Sequence, residues 1–353
     1  MKTIKLNTLY ALAMLTIAAF FTTSCSKDSN ANTPTAINVD YPAAYVVNGQ
    51  DATVSVIKLA TGEVTGTISF PSSAMVTWPH HIAYHQGNLT LGVPGMDFSA
   101  GHTSIGTMPG KMLILNATTG AIMENMDLPV MNHNTIYSPN GNEIWVPQMG
   151  MNGKVLVYNA STYALMNTIT VGMMPAELTF SSDGTKAYVA NGDDDTVTII
   201  NVATKAVITT VVVGNNPVGA WTGSNGQMFV DNEDGQSISV INVATNAVDQ
   251  TIALGFMPGI AAHNSVKNEL WVTDPMNSKV HYYTWDTGMG MWMDAGVITA
   301  GDGAHAIAFT TDGNTAYVTN QMAKSVSVLN VANHTVIKTI TVGNKPNGIV
   351  LKM

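Results

Sequence analysis

Apolar and polar residues alternate in short runs along most of this chain, the two-residue period of half-buried strands. Residues 174–214 show the pattern clearly. Pro175 opens the stretch and Leu178-Thr179-Phe180 reads as a first strand. Ser182-Asp183-Gly184 is a tight turn, because Gly tolerates the positive φ such turns need. Ala187-Tyr188-Val189-Ala190-Asn191 reads as a second strand, residues 193–195 as a polar loop and residues 196–200 as a third strand. Asn201-Val202-Ala203-Thr204 turns the chain into a fourth strand, residues 206–213, rich in Val, Ile and Thr. Four short strands joined by turns predict one antiparallel blade.

The turn recurs. Clear copies are Asn242-Val243-Ala244-Thr245 and Asn330-Val331-Ala332-Asn333, and looser ones begin at Lys58, Asn116, Asn159 and Asp286. The seven starts are separated by 58, 43, 42, 41, 44 and 44 residues. A period of about 40–45 residues marks a four-stranded blade repeated around an axis. Second strands fall at 44–48, 89–93, 144–148, 187–191, 228–232, 270–274 and 316–320, and first strands start near Pro79, Met131, Pro175, Pro217, Pro258, Gly303 and Pro346. The expected fold is all-β, a seven-bladed β-propeller of four-stranded antiparallel blades. Its N-terminal blade opens on a second strand, so the C-terminal strand should join that blade, close the ring and remove an exposed sheet edge.

Ala316-Tyr317-Val318-Thr319-Asn320, followed by Val342-Gly343-Asn344-Lys345-Pro346-Asn347-Gly348, resembles the YVTN-type seven-bladed β-propeller repeat family. The resemblance covers roughly residues 40–353 and implies the fold and an extracytoplasmic setting. It says almost nothing about chemistry, since propellers host unrelated activities. The propeller of nitrous-oxide reductase and the haem domain of cytochrome cd1 look similar in repeat design.

The first residues change the picture of where the ring works. Lys2 and Lys5 precede an apolar core, residues 9–21, which is too short to span a bilayer stably. Thr22-Thr23-Ser24-Cys25 then resembles a bacterial lipobox, with Thr22 where Leu is usual. The expected organisation is a lipoprotein signal peptide over residues 1–24, a lipidated Cys25 with a flexible tether over 25–38, and the propeller over 39–353. Ser26-Lys27-Asp28 resembles the short export tag that sends some lipoproteins to the cell surface. The expected address is therefore the outer membrane, with a membrane partner through the lipid and an envelope protein as a further candidate partner. Cys25 is the single cysteine of the sequence, which excludes disulfides, thiolate metal sites and c-type haem from the ring. All 14 basic residues are Lys and the net charge is −9. Loss of Lys2 and Lys5, one positive charge each, takes it to −11. Without Arg or a basic stripe, nucleic acid is not an expected partner, and no phosphate loop points to a nucleotide.

The chain has 22 Met and nine His, an odd choice for strands. His80, His133 and His305 each stand four residues before an aromatic residue (Tyr84, Tyr137 and Phe309), at one repeat position on the innermost strand. His81 and Glu177 stand one place further on. Strand starts and matching loops should bring Met131, Met174, Met257, Met149, Met151, Met276 and Met322 to the same face. The long loop 93–111 adds Met96, His102 and Met108. Imidazole binds Cu(II) and zinc, and thioether selects Cu(I), so the pattern points to copper. Nitrous-oxide reductase, which the repeat resembles, carries histidine-bound copper in this region, but its full set of seven ligands is not matched here. The plainer account is that channel histidines hold water and the methionines fill gaps between blades. His85, His263 and His281 read as structural. His334 takes the place of a turn Thr and should face solvent.

Three function classes follow. A binding propeller of the cell envelope, with copper as ligand, fits the Met/His face. A surface scaffold or adhesion module for protein or glycan is the first alternative, and Trp78, Trp145 or Trp271 could serve glycan stacking if exposed. A channel-histidine lyase or hydrolase is the second, with His80 or His133 as base near Glu177. No nucleophile elbow or His-Glu-x-x-His motif supports an enzyme.

Overall fold

The computed structural model describes residues 37–98 and 108–353. The expected leader and lipidation site, residues 1–24 and Cys25, and the candidate ligand His102 lie outside the described residues. The described chain forms seven four-stranded antiparallel sheets, the blades of a propeller. No helix among the described residues is long and apolar enough to cross a membrane. Blade one places Pro346–Lys352 innermost, then Ala43–Asn48, Thr53–Lys58 and Glu63–Ser69. The ring is thus closed by a ladder between residues near the two ends of the propeller, Ala43 opposite Lys352 and Val46 opposite Ile349. Blades two to seven run from inside outward in chain order. Their inner strands are Ile82–His85, Ile136–Tyr137, Pro175–Phe180, Pro217–Thr222, Ala261–Asn264 and Ala304–Phe309.

Second strands are buried almost throughout, and fourth strands other than that of blade two expose most of their residues, so the core lies between blades, around the middle strands. Trp145 and Trp271 are fully buried there, which removes both as glycan platforms. Each contributes roughly 1.5–3 kcal/mol by burial. Trp271 belongs to a cluster with Val280, Ala316, Val318 and Leu329 that joins blades six and seven.

The repeated turn owes its shape to its first residue. Asn116 and Asn159 Oδ1 each accept two backbone N–H bonds, from Thr118 and Thr119 and from Ser161 and Thr162. Asp286 does the same with Gly288 and Met289. The fifth residue is left-handed in all seven copies: Gly62, Gly120, Tyr163, Lys205, Asn246, Gly290 and His334. His334 therefore holds the left-handed position, and Asn333 fills the Thr slot. Nor does His334 simply face solvent. Its ring stacks on Tyr282 at 3.8 Å and its Nε2 lies 3.2 Å from both Glu269 carboxylate oxygens.

The last Asn of the Tyr-Val-Thr-Asn run is a latch. Asn320 Nδ2 donates to Ser325 Oγ at 3.0 Å and Ser327 Oγ at 2.9 Å, and its Oδ1 accepts the Gly301 N–H at 3.0 Å. Asn48 repeats the arrangement with Thr53, Ser55 and Gly343. Gly301 and Gly343 lie two residues beyond the fourth strand of the preceding blade, and a Cβ on either would stand 2.5 Å from the Asn Cγ. Glycine there is a requirement of contact, and the latch fixes how one blade enters the next.

Candidate metal centre on the propeller axis

Where the inner strands near the axis, their ladders break. Register shifts lie between Pro175 and Leu178, Pro217 and Gly219, and Ala304 and Ile307. In blades two, three and six the regular strand starts later than Pro79, Met131 and Pro258, at Ile82, Ile136 and Ala261. His80 and His133 precede their strands, while His305 lies within its own. The irregular backbone is held by other means. His80 N donates to Gly92 O at 2.9 Å and Gly92 N to His81 O at 3.0 Å. Gly348 N crosses from blade one to His80 O at 3.0 Å. In blades six and seven a hydroxyl takes over: Thr273 Oγ1 donates to His305 O at 2.7 Å, and Thr319 Oγ1 to Asn347 O at 2.8 Å. A Cβ on Gly92 would lie 2.3 Å from His133 O, so glycine permits the approach of blades two and three.

The repeat position that the histidines occupy is filled around the ring by His305, Asn347, His80 and His133 from blades seven, one, two and three. Ala176, Val218 and Gly259 fill it in blades four, five and six. The axial ring has a polar half and an apolar half. On the polar side His80 and His133 stand 4.2 Å apart by ring centroids, His80 and His81 4.7 Å, and His81 and His133 4.6 Å. His305 is 5.6 Å from His80. One potential ligand atom from each of His80, His81 and His133 can be chosen so that all three lie within 4.8 Å of one another.

Glu177 organises this group. Its Oε1 lies 2.5 Å from His133 Nδ1 and 3.1 Å from His81 Nε2. Its Oε2 accepts from Asn134 Nδ2 at 2.5 Å, and the same amide bonds the Leu178 backbone. An ionised Glu177 places protons on His133 Nδ1 and His81 Nε2, and so puts the lone pairs of the neutral rings on His133 Nε2 and His81 Nδ1. His80, His133 and Glu177 are buried and His81 is nearly so.

The predicted methionines divide. Met131, Met149 and Met174 are buried in one cluster with Phe98, Ala176 and Val218, and Met96 packs against it. This patch meets the histidines through Phe98, whose ring is 5.7 Å from His80 and 5.3 Å from His133. Met108, Met151, Met257, Met276 and Met322 are exposed. The repeat position does not give the depth of a side chain, and depth separates core from rim.

Two cavities flank the histidines. One of about 440 Å³ has His80, His305 and Gly259 among its lining, and a smaller one of about 140 Å³ is lined in part by His81, Glu177, Asn134 and Trp221. Trp221 stands 6.1 Å from His81 and donates its indole N–H to Asp231, a fully buried carboxyl that also accepts the Gly219 N–H at 3.1 Å. Sequence reasoning missed Asn134, Asn347, Trp221 and Asp231. Asn347 was findable, since it holds the histidine slot four residues before Leu351.

No protein-family model matches the chain, and no curated protein matches it. Solved structures do. A functionally unknown protein from Desulfotomaculum acetoxidans is similar at a TM-score of 0.70 and 13% identity, over 88% of this chain and 98% of its own. The periplasmic gluconolactonase of Pseudomonas aeruginosa is similar at 0.69 and 14%, over 88% and 99%. A putative 6-phosphogluconolactonase from Bacteroides fragilis is similar at 0.68 and 15%, over 89% and 99%. At such identities the likeness is one of fold: the chain is a seven-bladed propeller of the same architecture as these proteins.

Proposed function

We propose that this protein binds a transition-metal ion, copper first, on the propeller axis through His80, His81 and His133, and that it does so in the cell envelope, anchored through Cys25. The carrying observation is the convergence of three imidazole donor atoms within 4.8 Å. Metal–imidazole bonds of about 2.0–2.1 Å need donors roughly 2.8–4.2 Å apart, from right-angled to opposite ligands, so modest ring rotations complete the site. Glu177 supplies the carboxylate that commonly orients ligating histidines. Imidazole donors favour copper over the other divalent first-row metals. The methionine patch lies behind Phe98, so it shapes a dry wall and the nitrogen donors carry the affinity.

Elemental analysis of the chain lacking only its leader, dialysed against Cu(II), tests this. The expected result is near-stoichiometric copper, lost in a His80→Ala/His133→Ala variant that keeps the circular dichroism of the parent. Copper retained by that variant, or none in the parent, overturns the reading.

A second reading is hydrolysis of a lactone. It is favoured by the Glu177–His133 pair beside the cavities, a carboxylate-oriented imidazole suited to general-base work. The names of the similar Pseudomonas and Bacteroides proteins point the same way. Base uptake in a pH-stat assay with glucono-δ-lactone separates the two: hydrolysis by metal-free protein, abolished by Glu177→Gln, supports the enzyme.

A further inference from the structure

The larger cavity extends from His80 and His305 into the space bounded by blades five, six and seven. At about 440 Å³ it falls in the range of roughly 300–1,000 Å³ usual for small-molecule sites. Phe98, Phe256, Met257 and Met276 are part of its apolar wall, and Gln236 and Gln321 bring amides to it.

This wall is built in advance. Phe256 stacks on His281 with centroids 4.3 Å apart. Asp274, buried, lies 3.5 Å from His281 Nε2 and accepts the backbone N–H of Asn277 at 3.1 Å and its side-chain Nδ2 at 2.9 Å. That carboxylate clamps the short loop carrying Pro275 and Met276. Gln321 is fixed by donating to Asn347 at 2.8 Å. Met276 is 80% exposed, an apolar side chain held in water beside the cavity where a bound molecule would cover it. None of the described lining residues is Lys or Arg and one, Glu233, is acidic, so a phosphate or carboxylate would meet no lysine or arginine and a carboxyl of its own sign.

We propose that this cavity binds a small, uncharged, partly apolar organic molecule whose polar end meets His80 and His305. The inference deepens the reading above, since it names what the open side of the histidine cluster takes, and it rests on that reading for its functional setting. It also parts company with phosphorylated sugars, despite the name of one similar structure.

The test is ligand-observed NMR followed by calorimetry on the chain lacking only its leader, with copper added and with copper stripped. Probes are δ-nonalactone, indole and benzyl alcohol, with 6-phosphogluconate as the anionic comparison. The expected result is saturable one-site binding of at least one uncharged probe, weakened about tenfold or more in Met276→Asp and in Phe256→Ala, and none for 6-phosphogluconate. Phe256 also packs in the core, so Met276→Asp is the deciding variant, a rim change that leaves the fold alone. No saturable uncharged probe, binding unchanged in Met276→Asp, or equal binding of 6-phosphogluconate overturns the inference. Copper retained without probe binding overturns it while the metal site stands; probe binding without copper retention does the reverse.

Discussion

Asp231 is the residue whose chemistry is most displaced by its surroundings. Burial pushes its carboxyl well above the usual carboxylate range, and the charges of Glu233 and Glu177 add to the shift, while the Trp221 and Gly219 N–H bonds pull the other way. The folded state therefore holds a proton that the unfolded chain releases near pH 4. Such a group stabilises fully below that value, and stability is lost as pH climbs toward the raised folded value. Asp231→Asn removes the dependence. Calorimetry of both proteins between about pH 4.5 and pH 8 should show the melting difference, variant minus parent, growing more positive with pH. A constant difference would mean that Asp231 ionises in the fold without penalty. The sequence shows Asp231 only as a lone acidic residue in a strand where its repeat partners are Thr273 and Thr319, and one such exception carries no pattern. The histidines were legible because three of them share a slot. Asn134 and Asn347 were not singled out, because Asn recurs in many turns of this chain.

At the scale of the strand and its connections, the Asn latch does most to set blade geometry. Asn320→Ala removes two side-chain donations and the acceptor for Gly301 N–H inside a fully buried site. At about 1 kcal/mol for each bond, with further cost for buried groups left unmet, the expected loss is roughly 3 kcal/mol. Urea unfolding monitored by tryptophan fluorescence measures it; a loss below about 1 kcal/mol would show that water replaces the latch. The strand pattern, the period and the turn signatures were all legible, because each depends on neighbours in sequence. The late start of the inner strands was not, since their ladders are broken by contacts from other blades: Gly348 reaching His80 O, and Gly92 meeting His133 O. The methionines are the same case. Whether Met131 is core or Met151 is rim depends on how far blades stand apart, which no single repeat records.

For the whole molecule, the closing ladder between Ala43–Asn48 and Pro346–Lys352 bears on solubility as well as stability. Truncation after Lys345 leaves the Ala43–Asn48 edge unpaired and the apolar flank of blade one open. Size-exclusion chromatography with light scattering should find aggregates or no folded monomer, where the parent is a discrete species. A folded monomer with unchanged melting would remove closure as a source of stability. The ring was predicted from repeat phase alone, because a chain that opens on a second strand and finishes on a first has one economical way to pair both.

That same ladder fixes the order in which the protein can come into being. Ala43 and Lys352 are partners across nearly the whole chain, so the earliest strands of the ring to emerge must wait for the last. Until that last strand is made, blade one carries an open edge that nothing local can satisfy. Contacts this distant in sequence are slow to form, because the chain between them must first give up its freedom. The ladder that makes the finished ring durable therefore makes its infancy the time of greatest exposure to misassembly.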